Sequence, residues 1–273
     1  MKKSLKKQIP YQFEVVKKTD KGLTNKNYLI TIDQEKYMLR VPEDDVYHLF
    51  NRDQEKIIID KIKDKDYILP IKYYQEGFQI VKYEQSLKTF DEIEDKDKIK
   101  KVANLMKKFH QSGIKVEFNF DPLKQINLYK KHISKLDINL KDYQQLFDKL
   151  KNHKPDLILC HNDWVAGNIC FLNDKTFLID FEYAGNNDRF FDIMSFLTEN
   201  DLSEKEKKEF LGYMFEEGIS DKDYENLKMY RDTNNLLWYL WAKMMYEFRE
   251  ETIYKEIAEV KLKQLLEEYD AKL

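Results

Sequence analysis

A histidine, an aspartate and an asparagine follow one another at fixed intervals near the middle of the chain, and they constrain its fold more than any other feature. His161, Asp163 and Asn168 fit the pattern His-x-Asp-x-x-x-x-Asn, and Asp180 follows a short apolar run. Asn173-Asp174 lies in between and predicts a tight turn, because both side chains bond their own backbone in turns. The segment therefore predicts two buried strands joined by a hairpin, with an amide and two carboxylates around their ends.

These side chains suit phosphoryl transfer, in which the protein mainly aligns a hydroxyl, holds magnesium and neutralises charge. Asp163 would orient the hydroxyl of the acceptor, and His161 belongs to the same catalytic motif. Asn168 and Asp180 offer the hard oxygen ligands that Mg²⁺ prefers, and they leave other coordination positions to water and to the phosphates of ATP. Taken singly, each residue would be an ordinary turn former. Their joint spacing favours a kinase.

Five further runs of sequence carry a family resemblance. They are Gly22-Leu23-Thr24-Asn25-Lys26-Asn27-Tyr28, Tyr37-Met38-Leu39-Arg40-Val41-Pro42, Asn51-Arg52-Asp53-Gln54-Glu55, Asp180-Phe181-Glu182-Tyr183-Ala184-Gly185 and Phe191-Asp192-Ile193. On these residues the chain resembles the choline/ethanolamine kinase family, and especially its bacterial LicA-like choline kinase branch. That family lies within the wider aminoglycoside-phosphotransferase-like and protein-kinase-like fold. The resemblance spans most of the chain.

The resemblance implies an α+β, two-lobed, protein-kinase-like fold. Residues 1–83 would form a small antiparallel-sheet lobe with one helix, which clamps the nucleotide, and residues 84–273 a larger, mainly helical lobe. The periodicity of apolar residues agrees with this division. It predicts strands at 13–16, 28–32, 37–41, 68–72 and 78–83, and helices at 53–63, at 99–109, twice within 121–155, from the capping box of Ser203 and Glu206 to Gly218, and within 224–269.

Within the resemblance, Arg40 would reach the nucleotide phosphates, since its planar guanidinium suits oxyanions, and Glu55 would orient it. The predicted phosphate loop departs from that of protein kinases because it has the single glycine Gly22 and no G-x-G-x-x-G pattern. Thr24 and Asn25 would supply side-chain donors to the nucleotide there.

Backbone groups from Val81 to Glu84, including those of Tyr83, would contact the edge of the adenine ring. Residues 84–91 would form the hinge. This assignment follows from position along the chain, with Val81 and Tyr83 as the nucleotide-binding residues.

The acceptor is predicted from aromatic residues near the C-terminal end. Trp238 and Trp241 are three residues apart and share a helix face, and Tyr254 follows at the distance of a next helix. A quaternary ammonium cannot donate a hydrogen bond, so aromatic faces recognise it through cation–π attraction. In the family a Trp-x-x-Trp pair and a later tyrosine line the choline pocket, and Glu182 and Tyr183 would lie close by. Aromatic residues at helical spacing also commonly fill a core, which is the alternative reading.

Other acceptors and one other class of function remain open at this stage. Ethanolamine would need hydrogen-bond acceptors in a smaller pocket, and thiamine or an aminoglycoside can be phosphorylated on the same scaffold. A nucleotide-binding pseudokinase would be expected to lack Asp163, Asn168 or Asp180, and all three are present.

Composition excludes several classes of protein. The 47 basic and 50 acidic residues nearly balance, so there is no broad positive field of the kind that nucleic-acid binding needs. No apolar run reaches the length of about 18 residues that spans a bilayer, and the lysines at 2–7 are not followed by a signal-peptide core. Two cysteines, Cys160 and Cys170, argue against a disulfide framework. We therefore expect a cytoplasmic enzyme without membrane insertion, and the sequence does not predict its oligomeric state.

Overall fold

The computed structural model describes residues 9–19 and 22–267, which fall into two compact units. The first unit combines Met1–Lys98 with Ala166–Ala184, and the second combines Ile99–Val165 with Gly185–Leu273. The boundary predicted between residues 83 and 84 stays a prediction. The lysines at 2–7 and the end of the predicted 224–269 helical stretch lie outside the described residues.

The first unit is built on an antiparallel sheet. Its strands are β1 (Glu14–Thr19), β2 (Asn25–Ile32), β3 (Glu35–Pro42), β4 (Ile71–Gln75) and β5 (Phe78–Lys82), in the order β1-β2-β3-β5-β4. Ile30, Leu39 and Ile80 lie in its core and are at most 1% exposed. The fourth strand begins at Ile71 and not at the predicted Ile68, because Ile68 forms a parallel bridge with Leu178. The other four predicted strands are present in the predicted order along the chain, with bounds that differ by one to three residues.

Helix α1 (Arg52–Ile62) is the single predicted helix of this unit. It begins where the side chain of Asn51 accepts a hydrogen bond from the Gln54 N–H at 3.1 Å, which satisfies a donor that the first helical turn leaves unpaired. Its buried face consists of Arg52, Glu55, Ile58, Ile59 and Ile62. The helix therefore brings one arginine and one glutamate inside the unit together with its apolar residues.

A hairpin completes the first unit. Strands β6 (Lys88–Thr89), β8 (Ile169–Leu172) and β9 (Lys175–Leu178) form a second sheet in the order β6-β8-β9. The predicted two-residue turn at Asn173-Asp174 is confirmed, because Leu172 pairs with Lys175 and Asn173 has φ +53°. Such left-handed backbone is better tolerated by asparagine than by most residues. The hairpin fixes which residues emerge at its open end.

The second unit is mainly helical. Its helices are α2 (Lys98–His110), α3 (Pro122–Lys130), α4 (Gln144–Asn152), α5 (Arg189–Glu199), α6 (Glu204–Met214), α7 (Asp221–Arg249) and α8 (Thr252–Leu266), of which the first residue of α2 falls in the first unit. A short antiparallel pair joins β7 (Leu157–Cys160) to β10 (Gly185–Asp188). The predicted capping box of Ser203 and Glu206 is present at the start of α6.

The 29-residue helix α7 is the centre of this unit and packs against α3, α4, α5 and α8. Its middle is buried on all sides, from Leu236 to Ala242, as expected of a helix surrounded by others. Cys160 and Cys170 are buried strand residues, and both are free thiols. Among the described residues no helix combines the length and the hydropathy that crossing a membrane requires.

Candidate active site

The two predicted magnesium ligands emerge at the same end of the β8–β9 hairpin. Asn168 precedes β8, Asp180 follows β9 by two residues, and the Ile179 N–H donates to the Asn168 carbonyl at 3.0 Å. Asp180 has φ +64°, a left-handed conformation that is uncommon outside glycine and is often found at functional sites. The hairpin thus fixes an amide and a carboxylate near each other in the first unit.

Arg40 lies at the centre of the charged residues of this unit. It is 6% exposed, and it donates to Glu55, to Asp180 Oδ1 at 2.5 Å and to the Gly77 carbonyl at 3.1 Å. Burial opposes its charge, but Glu55, Asp180 and Glu182 outweigh this effect and raise the pKa of Arg40. The guanidinium is therefore permanently charged and held in one orientation, with Glu55 on one side and the candidate metal ligand on the other.

A second arginine shares the same glutamate. Arg52 donates to Glu55 Oε2 at 2.7 Å and to Glu182 Oε2 at 3.0 Å. Although burial acts against its charge, Arg40 and Arg52 lower the pKa of Glu55. We call these five residues (Arg40, Arg52, Glu55, Asp180 and Glu182) the buried ionic network.

The buried ionic network has three carboxylates for two guanidiniums. Burial, followed by the charge of Asp180, raises the pKa of Glu182 from 4.5 to about 7. Burial likewise raises the pKa of Asp180, in spite of Arg40 beside it. Burial is the main cause of both shifts, and the neighbouring carboxylates add to it, while Asp180 keeps 27% of its side chain exposed. The oxygen donors of Asn168 and Asp180 therefore fit a hard divalent cation such as Mg²⁺.

The loop before β2 is attached to this network through Glu182. Thr24 Oγ1 donates to Glu182 Oε1 at 2.8 Å, and Asn25 Nδ2 donates to Glu182 Oε2 at 3.0 Å. Tyr183, the next residue along the chain, packs edge to face on Phe50 with ring centroids 5.2 Å apart. In this structure the predicted phosphate donors thus contact a carboxylate that the sequence had assigned to the acceptor.

The predicted adenine-binding residues lie at the end of β5. Val81 pairs with Met38 on one side and with Ile71 on the other, so its backbone is within the sheet. The Tyr83 N–H donates to the Lys36 carbonyl at 3.1 Å. Contact of these residues with adenine stays a prediction.

In the second unit, the segment 161–164 is pinned by α5. Asp192 of α5 is fully buried, and it accepts the N–H of His161 at 3.0 Å and the N–H of Asn162 at 2.7 Å. His110 Nε2 lies 2.7 Å from the same carboxylate. Although burial acts against it, the hydrogen bond with His110 and those from the 161–164 segment lower the pKa of Asp192. A buried carboxylate thus fixes the backbone immediately before Asp163.

The residue after Asp163 is fixed in the same way. The Trp164 N–H donates to Ser195 Oγ at 2.9 Å, and Asn200 Nδ2 donates to the Trp164 carbonyl at 2.8 Å. Asp163 itself is half-buried. Sequence reasoning missed Ser195 and Asn200 altogether and gave Asp192 no role beyond its motif, because their partners lie more than 30 positions away in the chain.

His161 is enclosed by aromatic rings. Its side chain is fully buried, and its ring centroid lies 6.0 Å from that of Trp164 and 6.4 Å from that of Phe109, edge to face in both cases. A histidine in this position supports the segment by packing. Its membership of the catalytic set stays a prediction.

The three aromatic residues predicted for the acceptor form one cluster. Trp238 and Trp241 have ring centroids 6.1 Å apart at 82°, and Trp241 and Tyr254 have centroids 5.7 Å apart at 74°. All three are at most 7% exposed. Arg249 Nη1 donates to the Tyr254 hydroxyl at 2.9 Å, and its guanidinium carbon lies 6.0 Å from the centroid of that ring. The three rings thus pack on one another, and the guanidinium of Arg249 lies beside the Tyr254 ring.

The structure thus gathers the predicted site residues into two groups. The first unit holds Thr24, Asn25, Arg40, Glu55, Val81, Tyr83, Asn168, Asp180, Glu182 and Tyr183, and the second holds His161, Asp163, Trp238, Trp241 and Tyr254. The convergence of Asp163 with Asn168 and Asp180 stays a prediction.

Comparison with known proteins identifies relatives of the whole chain. The family model described as choline/ethanolamine kinase matches residues 16–211. Protein LicA of Haemophilus influenzae is 28% identical over 248 residues, which cover 84% of this chain and 73% of that protein. The solved structure of LicA in complex with AMP has a TM-score of 0.79 at 22% identity, covering 97% of this chain and 96% of that chain. The choline kinase LicA from Streptococcus pneumoniae has a TM-score of 0.77 at 24% identity, covering 97% and 98%.

These structural similarities confirm the α+β, kinase-like fold that was predicted from the sequence. The family match covers most of the chain and includes the histidine–aspartate segment, the β8–β9 hairpin and the buried ionic network. The chain belongs to the choline/ethanolamine kinase family, whose members are phosphotransferases that act on an alcohol group.

Proposed function

We propose that this chain transfers the γ-phosphoryl group of MgATP to the hydroxyl of choline, giving phosphocholine and ADP. The observation that carries the choice of choline is the cluster of Trp238, Trp241 and Tyr254, whose rings meet edge to face. A trimethylammonium group is recognised by aromatic faces because it offers no hydrogen-bond donor. Arg249 donates to the Tyr254 hydroxyl and lies 6.0 Å from the centroid of that ring, which supports the choice only in that a cation is accommodated beside the cluster.

The nucleotide would be held by the first unit. Arg40, oriented by Glu55, would contact the phosphates, and Asn168 and Asp180 would hold Mg²⁺. When bound, Mg²⁺ neutralises phosphate charge during transfer. The AMP complex of the LicA neighbour supports the use of an adenine nucleotide. We extend this to ATP because a kinase needs a γ-phosphoryl group to transfer.

The acceptor hydroxyl would be oriented by Asp163. The carboxylate would accept the proton of the hydroxyl as the bond to phosphorus forms. Its backbone neighbours on both sides are fixed, by Asp192 before it and by Ser195 after it, so little reorganisation is needed when the acceptor binds. His161 would support this segment by packing between Phe109 and Trp164.

One assay tests this function against its alternatives. Purified protein with MgATP is incubated in parallel with choline, ethanolamine, thiamine or an aminoglycoside, and ADP and the phosphorylated product are measured, with a reaction that contains no acceptor. We expect the highest kcat/KM with choline. A preference for ethanolamine would overturn the choice of acceptor, and equal ADP release without any acceptor would indicate an ATPase.

The Asp163→Asn variant tests the role of the carboxylate. We expect kcat to fall at least about a hundredfold, since removal of a general base typically costs about 10²–10⁴ in rate. Asp174→Asn in the exposed hairpin turn is the matched control and should keep its activity. Comparable activity in the two variants would contradict the assignment of Asp163.

A further inference from the structure

Both oxygens of the Glu182 carboxylate accept hydrogen bonds within the first unit. Oε1 accepts from Thr24 Oγ1 at 2.8 Å, and Oε2 accepts from Asn25 Nδ2 at 3.0 Å and from Arg52 Nη1 at 3.0 Å. The side chain is 3% exposed. Three donors thus surround one carboxylate, and two of them belong to the loop that precedes β2. Glu182 is thus surrounded by groups of the first unit and is not exposed, whereas a carboxylate that binds an amino alcohol has to be accessible to it.

The loop before β2 depends on such side-chain bonds. Gly22 has φ +103°, and a Cβ atom there would lie 2.7 Å from Asn27 Nδ2, so this position needs glycine. Beyond Gly22 the loop has no glycine that would let its backbone approach a phosphate closely. Asn25 Nδ2 also donates to Thr24 Oγ1 at 3.1 Å. The loop conformation is therefore set by bonds among Thr24, Asn25 and Glu182.

Arg52 holds Glu182 in place from the other side. Its guanidinium carbon lies 4.6 Å from the centroid of the Phe50 ring, and a Cβ atom on Gly77 would lie 2.9 Å from its Nε. Arg52 also donates to Glu55 at 2.7 Å. Because packing and an ion pair both restrain Arg52, the carboxylate of Glu182 has a fixed position.

Glu55 connects the loop before β2 to the candidate metal ligand Asp180 through two arginines. Glu55 accepts from Arg52, which binds Glu182, and from Arg40, which binds Asp180. Asp180 and Glu182 are thus both connected to the buried carboxylate of Glu55, Asp180 through Arg40 and Glu182 through Arg52. A displacement of Glu182 would release the loop, whereas Asp180 would keep its own contact with Arg40.

We propose that Glu182 is a positioning residue for the nucleotide: it holds Thr24 and Asn25 of the phosphate loop in place beside the candidate metal ligand, and it does not bind the acceptor. This inference rests on the proposed use of MgATP and adds a residue that acts through the loop. The two oxygens of Glu182 thus support nucleotide binding, and residues of the second unit recognise the ammonium group.

The first test is the Glu182→Gln variant, which keeps the size of the side chain but offers one acceptor oxygen to three donors. Affinity for the Mg²⁺ complex of the non-hydrolysable analogue AMP-PNP is measured by isothermal titration calorimetry without acceptor, and KM values are measured for MgATP and choline. We expect about tenfold weaker AMP-PNP binding and a similar rise in KM for MgATP. The KM for choline should stay within about twofold. A rise confined to the KM for choline would overturn the proposal.

The second test separates action through the loop from an independent effect. The Thr24→Val/Asn25→Ala variant removes both loop donors and leaves the Arg52–Glu182 pair intact, so it tests the proposal even if Glu182→Gln fails to fold. We expect it to lose about as much AMP-PNP affinity as Glu182→Gln, and the triple variant to lose no more than the double one. Additive losses would show that Glu182 acts by another route, and unchanged affinity of the loop variant would overturn the proposal outright.

The matched control is Glu199→Gln in the second unit. Lys261 Nζ donates to Glu199 Oε1 at 2.6 Å, and the two side chains are 4% and 10% exposed, so this is also a buried ion pair. We expect a lower Tm with unchanged AMP-PNP affinity. If both variants weakened AMP-PNP binding in proportion to their loss of Tm, Glu182 would be only structural. A wild-type chain that bound AMP-PNP but phosphorylated no amino alcohol would refute the proposed function without affecting this inference.

Discussion

Asp192 is the residue whose replacement should most clearly separate stability from catalysis. Its Oδ1 accepts the Asn162 N–H at 2.7 Å, and its Oδ2 accepts the His161 N–H at 3.0 Å and lies 2.7 Å from His110 Nε2. In Asp192→Asn one oxygen remains for Asn162, and the new amide nitrogen faces the other two groups. His110 can turn an unprotonated nitrogen toward the amide, but the His161 N–H cannot adapt.

The expected cost is estimated from the orphaned His161 N–H. A buried N–H without an acceptor costs about 1–3 kcal/mol, compared with a total stability of about 5–15 kcal/mol for a typical domain. The Asp192→Asn chain should therefore still fold. Asp163 follows Asn162 directly, and a displacement of about 1 Å in a catalytic group can cost about a hundredfold in rate. We expect kcat to fall at least about tenfold, while the KM for MgATP stays within about twofold.

The assay pairs urea unfolding with steady-state kinetics on the same samples. Asp188→Asn is the control, because Asp188 also lies 2.7 Å from a histidine nitrogen, that of His153, and is 3% exposed, but no described bond joins it to residues 161–164. It should keep its kcat and lose less stability than Asp192→Asn, because the Phe190 N–H keeps an acceptor oxygen and His153 can turn an unprotonated nitrogen toward the amide. Wild-type kcat in Asp192→Asn, or an equal loss of kcat in both variants, would refute the argument that Asp192 acts by fixing the segment before Asp163.

Two further predictions concern the acceptor and the charge of the first unit. Trp241→Leu should raise the KM for choline about tenfold and leave the KM for MgATP unchanged, because one aromatic face contributes about 0.5–2 kcal/mol to the binding of a cation. An unchanged KM for choline would contradict the aromatic site. In metal-free protein the unfolding free energy should fall by up to about 3 kcal/mol as pH rises from about 4.5 to about 7. Burial and the charge of Asp180 raise the pKa of Glu182 from 4.5 to about 7 in the folded state. The bound proton therefore stabilises the folded state below about pH 4.5, and this contribution is lost as pH rises through about 7. Urea unfolding over this pH range, with and without Mg²⁺, measures the effect, and stability that rises with pH would contradict it.

Features set by neighbours along the chain could be predicted from the sequence. The hairpin turn at Asn173-Asp174 and the capping box of Ser203 and Glu206 were both recognised, because the residues that form them are at most three positions apart. The spacing of Trp238 and Trp241 likewise predicted that they would share a helix face, and their rings are in contact. Local patterns of this kind depend only on backbone geometry and helix periodicity.

Features set by distant residues could not be predicted in this way. Arg52 and Glu182 are separated by 130 positions, and Thr24 and Glu182 by 158, so no periodicity links them. Motif recognition placed Glu182 beside the metal ligand but did not indicate which neighbours would use its oxygens. Similarly, nothing in the local sequence indicates that the Ser195 hydroxyl accepts a hydrogen bond from the Trp164 N–H.

The charges of the buried ionic network indicate how the nucleotide should bind. Two guanidiniums face three carboxylates, and burial together with the neighbouring carboxylates raises the pKa values of Asp180 and Glu182. A triphosphate without metal would add several negative charges to a region that already has too many, and their repulsion would be strong in a buried setting. A divalent cation held by Asp180 would reverse the local balance, so that the charge of Arg40 would no longer be offset by an excess of carboxylate. Under the proposed function, this excess of carboxylate predicts that the chain binds the nucleotide as its Mg²⁺ complex more tightly than it binds the metal-free nucleotide.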